Sequence, residues 1–181
     1  MVEDAIIPTL LDHLTKRLNQ IESRHRYLSF LIDKRLANEK LLQLEVMNII
    51  SSMATTVDYL AEKPYNSDGK EKCDFWFKTT EGECWLEIKT RPTNYRKPGH
   101  AKAITNGVDG VIEDANRLQK IKSPNCRKFV MFAFYPIYED SHEFFNKHLP
   151  RISKAVGKEV KKPQISVSAG NAHFDLFLVE L

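Results

Sequence analysis

The run "KFVMFAFYP" at residues 128–136 constrains the fold most, because it is almost uninterrupted apolar sequence with no polar alternation. A strand of that kind is buried on both faces and lies in the middle of a sheet, not at its edge. The chain must therefore supply layers of other elements to cover it. Upstream, "NEKLLQLEVMNIISSM" carries helical apolar spacing from about Asn38 to Met53, with Asn38 placed to cap it. "TTVDYLAEKPY" then reads as a first strand, followed by strands at 73–79 and 83–90. Residues 91–105 read as a loop, "GVIEDANRLQKI" as a helix, 141–156 as another helix and "AHFDLFLVEL" as a last strand. The spaced leucines from Pro8 to about Leu36 predict one long or two shorter amphipathic helices. The expected fold class is thus α/β, with residues 1–37 a helical extension and 38–181 the main domain.

At 181 residues the chain fits one domain with a real core, or one domain plus a helical extension, better than two full domains. The formal net charge of +3 does not by itself demand a nucleic-acid partner. Three cysteines without CxxC spacing, two of them inside strands, read as reduced core residues. No run approaches the roughly 18 apolar residues of a membrane span, and the start has acids where a signal peptide needs basic residues. A cytoplasmic protein with no membrane partner is expected.

The chemistry lies in "KCDFWFKTTEGECWLEIKT", residues 72–90. Strand parity puts Cys73, Phe75 and Phe77 on one face and Asp74, Trp76 and Lys78 on the other. With a two-residue turn, centred on Glu81-Gly82 or Thr80-Glu81, Asp74 shares a face with Glu87 and Lys89 and stands across from one of them. Trp76 and Trp85 share that face, so it is partly covered. Two facing carboxylates repel each other and make a poor structural element. They make good hard ligands for Mg²⁺ or Mn²⁺, which use one or two carboxylates and keep several waters. Lys89 beside them can orient or deprotonate a water and offset charge on a phosphate.

Asp74, twelve intervening residues and Glu87-Ile88-Lys89 resemble the signature of the PD-(D/E)xK nuclease superfamily, with Cys73 where a proline is usual. The resemblance covers about residues 38 to 135. It implies a restriction-endonuclease-like αβββαβ core with a central mixed sheet of four to five strands flanked by helices. By the same resemblance, Asp74, Glu87 and the Ile88 carbonyl hold the metal and Lys89 assists the water. A further glutamate on the preceding helix would hold a second ion or the water network. Glu39 is preferred for it, since at about 100° per residue it lies closer to the apolar side of that helix than Glu45 does. Glu45 stays open as the alternative, and Gln43 could line the same site. The implied activity is phosphodiester hydrolysis by an endonuclease of restriction, repair or resolvase type, with DNA favoured over RNA. Such an enzyme commonly acts as a homodimer, and residues 1–36 are the expected interface.

Arg91, Arg96, Lys97, His100 and Lys102 follow the hairpin as a phosphate-tracking loop would. Lys147, Arg151, Lys154 and Lys158 recur at helical spacing, with Lys161 and Lys162 beyond. The histidines are scattered without zinc spacing. Asp109, Glu113, Asp114 and Asp175 have no motif around them. Two rival readings remain: a nuclease-like fold that binds or assembles without catalysis, and an unrelated α/β domain whose charged hairpin meets a partner.

Overall fold

The computed structural model describes residues 6–34, 36, 38–66, 69–80, 82–93 and 104–181. Among them, six strands form one open mixed sheet: β1 (Thr56–Pro64), β2 (Lys72–Thr79), β3 (Gly82–Pro92), β4 (Cys126–Ile137), β5 (Ile165–Ala169) and β6 (Ala172–Glu180). Their order is β1-β2-β3-β4-β6-β5. β3 and β4 run parallel, and the other neighbours run antiparallel. A parallel pair needs a crossover, and α4 (Ile104–Gln119) supplies it. β4 lies between β3 and β6 and is buried from Phe129 to Ile137, as its composition requires.

Alternation along β4 sends neighbouring side chains into opposite layers. Met131 joins a core under α1 (Ile6–His25), α2 (Tyr27–Lys34) and α3 (Glu39–Ser52), with Leu10, Leu14, Val46, Phe77 and Ile88. Phe132 joins the core under α4, α5 (His142–Asn146) and α6 (Leu149–Val156), with Val111, Leu118, Trp76, Ile152 and Phe177. The apolar face of α1 is buried within this chain, while Phe30 of α2 and Leu36 remain exposed. No helix among the described residues is long and apolar enough to cross a membrane.

Three expectations need correction. The sheet has six strands, because "ISVSA" forms the five-residue edge strand β5 with its serines exposed. So short an alternation is easily read as loop. α4 starts at Ile104, inside the expected loop. Gly107 there marks close packing and not a turn: a Cβ on it would stand 2.8 Å from the Phe134 ring and 2.9 Å from Arg91. The expected helix over 141–156 is a 3₁₀ turn (Glu139–Ser141) followed by α5 and α6, and Gly157 at φ 72° ends it. Lys147, Arg151, Lys154 and Lys158 therefore form no single helical row. Lys147 pairs with Glu143 at 3.5 Å and Arg151 with Asp109 at 2.6 Å.

Asn38 caps α3, its Oδ1 accepting from the Leu41 backbone N–H at 3.3 Å. Its own N–H donates to Thr90 Oγ1 and to the Tyr135 hydroxyl, so the start of α3 is tied to the ends of β3 and β4. Asn38→Ala is expected to cost about 1 kcal/mol of unfolding free energy, read by denaturant titration.

Candidate active site at the parting of β2 and β3

β2 and β3 pair from Thr79↔Gly82 to Phe75↔Leu86. Beyond Phe75 the strands part. β2 stays with β1 through Lys63↔Cys73 and Pro64↔Lys72, while β3 follows β4 to Pro92↔Tyr135. Asp74 is the first residue past the last pair, with Glu87 as its counterpart on β3. Its Oδ2 accepts from the Ile88 backbone N–H at 2.8 Å and so spans the gap.

The expected parity fails at this point. Phe75 and Phe77 lie in the α3-side core and Trp76 in the α4-side core, but Cys73 lies on the α4 side too. Asp74 lines a pocket with Phe75 and the α3 residues Gln43 and Met47. The pleat slips where β2 loses its partner, and the Cys73 thiol turns to the Leu86 and Phe75 carbonyls. Asp74 is thereby placed between the two faces, still against Glu87.

Glu87 faces α4 and is 2% exposed. Its Oε1 accepts a short hydrogen bond from the Tyr65 hydroxyl and stands 3.8 Å from the Arg117 guanidinium. Burial first, and then the Asp74 carboxylate, push its pKa up to about 9. Burial also raises the Tyr65 hydroxyl, helped by the negative charges around it.

Lys89 reaches between the two helical layers. Its Nζ is 3.6 Å from Glu39 Oε2 and 3.4 Å from Asp114 Oδ2. Burial pulls the ammonium down, but Asp114, Glu39 and Asp74 outweigh it and hold the pKa above its ordinary value. Glu39 Oε2 also accepts from the Thr90 N–H at 3.3 Å. Asp114 is buried; one oxygen meets Arg117 at short range, and the other faces Lys89 without a well-formed hydrogen bond.

The fold thus brings together Asp74, Glu87, Ile88, Lys89 and Glu39. Glu45 is elsewhere, buried against α1 with the Arg17 Nε 2.8 Å from its Oε2. Asp175 lies on β6 and accepts from Ser166 at 2.6 Å, and Asp109 is with Arg151. Arg91 ends β3, whereas Arg96, Lys97, His100 and Lys102 lie outside the described residues. Tyr65 and Arg117 are the site residues that sequence reasoning missed, and Asp114 is one it left without a role. A signal existed for Asp114, which sits on the apolar stripe of α4 with Val111, Ala115 and Leu118. A lone carboxylate on a buried stripe calls for a cationic partner.

Among the described residues, no group of three or more His, Cys, Asp and Glu side chains is arranged to hold a metal ion. Two carboxylates with an adjacent backbone carbonyl nonetheless fit Mg²⁺ or Mn²⁺, which retain most of their waters. Burial, and after it repulsion from Asp74, raises Glu87, and a divalent cation between the two carboxylates would offset the repulsive part. Comparison with protein-family models, with curated proteins and with solved structures returned no match.

Proposed function

We propose that this chain is a Mg²⁺- or Mn²⁺-dependent nuclease with a restriction-endonuclease-like core, acting on phosphodiester bonds with DNA as the favoured substrate. The observation that carries the reading is the meeting of Asp74, Glu87 and Lys89 where β2 and β3 part. The order α3-β1-β2-β3-α4-β4 agrees with the αβββαβ arrangement that the hairpin motif implies. Asp74, Glu87 and the Ile88 carbonyl would hold the ion, with Glu39 near enough to Lys89 to order the surrounding waters. When bound, the ion supplies charge on a phosphoryl oxygen and an acidified water. Lys89, kept as an ammonium by Asp114 and Glu39, donates to the phosphate or the water and offsets the charge that builds up during attack. Tyr65 and Arg117 fix the Glu87 carboxylate from the α4 side.

One observation favours the non-catalytic reading. Glu87 already has Tyr65 and Arg117 as partners, and burial favours its neutral carboxyl, so the site stands without an ion. Calorimetric titration with Mn²⁺ separates the two. Wild type is expected to bind and Asp74→Ala not to. Plasmid, linear and single-stranded DNA and RNA are then incubated with Mn²⁺, Mg²⁺ or EDTA, and cutting is expected with either metal and not in EDTA. A wild-type protein that shows no heat of Mn²⁺ binding would end the nuclease reading.

A further inference from the structure

A pocket of about 380 Å³ opens between α3 and the β1–β2 pair, bordered by Asp74. Its size falls within the roughly 300–1,000 Å³ of small-molecule sites. Leu44, Met47, Ala61 and Phe75 make its walls apolar, and Lys40 and Glu62 stand among its lining residues. β1 is the edge of the sheet, so no strand of the described chain lies beyond it. Leu44 is 57% exposed, which leaves apolar surface at the rim of the pocket.

Among the described residues, the buried amide nitrogen of Gln43, which lines this pocket, has no hydrogen-bond partner. Such donors are rare in folded proteins and costly unless something satisfies them. The last torsion of a glutamine is soft, so its amide can turn toward an occupant. An amide beside apolar walls matches the edge and faces of a nucleobase, which offers donors and acceptors at its rim and a flat apolar surface. Lys40 adds a cation for the attached phosphate. Its contact with Glu62 is 3.5 Å long, with both side chains largely exposed, and opposes rearrangement only weakly.

We propose that this pocket takes one unpaired nucleobase next to the phosphate that is cut, so that the preferred substrate is a single strand or a single-stranded end. The inference rests on the nuclease reading for the position of that phosphate, since the pocket and the metal face share Asp74. A base within a duplex is stacked and paired, and extracting it costs free energy that an unpaired strand does not require. The pocket therefore discriminates by strandedness even without reading sequence.

The test measures binding without cleavage. Fluorescence anisotropy in EDTA compares a labelled 12-nucleotide single strand with its duplex, for wild type, Gln43→Leu and Leu44→Ala. Wild type is expected to bind the single strand about 10-fold more tightly than the duplex. Both variants should lose about 10-fold on the single strand and nothing on the duplex. Gln43→Leu removes an unpaired buried donor, so weaker binding by an equally or more stable protein points to the base contact and not to unfolding. Equal affinity for the two substrates, no single-strand binding at all, or variants that bind like wild type would each overturn the proposal. Metal-dependent cutting that is unchanged in both variants would sink the pocket and leave the nuclease. Strand-selective binding lost in both variants, without Mn²⁺ binding, would sustain the pocket and sink the nuclease.

Discussion

Lys89→Ala is expected to slow metal-dependent cleavage by about 100- to 1,000-fold in single-turnover assays, the size typical for removal of one preorganised donor at a developing negative charge. The expectation follows from how Lys89 is held. It is largely buried, yet Asp114 on α4 and Glu39 on α3 stand within 3.6 Å on two sides, and their charges outweigh the desolvation that would release its proton. A lysine in this state donates and does not accept. A rise of the cleavage rate with pH must therefore reflect a group other than Lys89. Asp74→Ala should reduce cleavage at least as far, because the same carboxylate bridges to Ile88 and faces Glu87. Circular dichroism must show both variants folded. A Lys89→Ala protein that cuts within a few-fold of wild type would remove Lys89 from the chemistry.

Why the hairpin was legible in the sequence and its surroundings were not has a physical basis. A charged residue in an apolar strand conflicts with its neighbours, and Asp74, Glu87 and Lys89 announce themselves by that conflict. The central strand was equally plain, since nothing but burial on both faces explains "KFVMFAFYP". Parity was less secure. It assumes an unbroken pleat, and the pleat breaks where β2 leaves β3, moving Cys73 and Asp74 to unexpected sides. Tyr65 and Arg117 reach the site across 22 and 30 residues of chain, distances over which local periodicity carries no information. The choice of Glu39 over Glu45 depended on helix phase alone. The structure puts Glu39 beside Lys89 and gives Glu45 to Arg17 on α1, a helix whose packing no local pattern could specify. The basic stripe failed because "NKHLPR" interrupts the helix between α5 and α6, and a row of cations needs one axis to be a row.

Glu87→Gln is expected to stabilise the metal-free protein above neutral pH. In EDTA, its advantage over wild type should grow as pH rises from about 5 toward 9. The sign follows from the direction of the shift. Burial and Asp74 push the folded pKa up to about 9, against an ordinary value of 4.5, so the fold prefers the protonated carboxyl. That preference contributes fully to stability below the unfolded pKa and is lost as pH climbs through the folded one. Glutamine mimics the neutral form. Its Oε1 can still accept from Tyr65 and its amide can donate toward Asp74, so the site stays satisfied at every pH. At pH 8 the difference should be on the order of 2 kcal/mol, or about 4–8 °C in Tm for a chain of this size. Asp114 is also raised by burial, but it is common to both proteins and cancels in the comparison. Added Mn²⁺ should reverse the ranking, because an ion that competes with the proton binds better as pH rises and stabilises only the protein that can hold it. Melting curves at pH 5, 7 and 9, with EDTA and with Mn²⁺, contain both halves of the expectation. A difference between the two proteins that does not vary with pH would mean that neither burial nor Asp74 raises Glu87, and the strain that a divalent cation would relieve at this site would be absent.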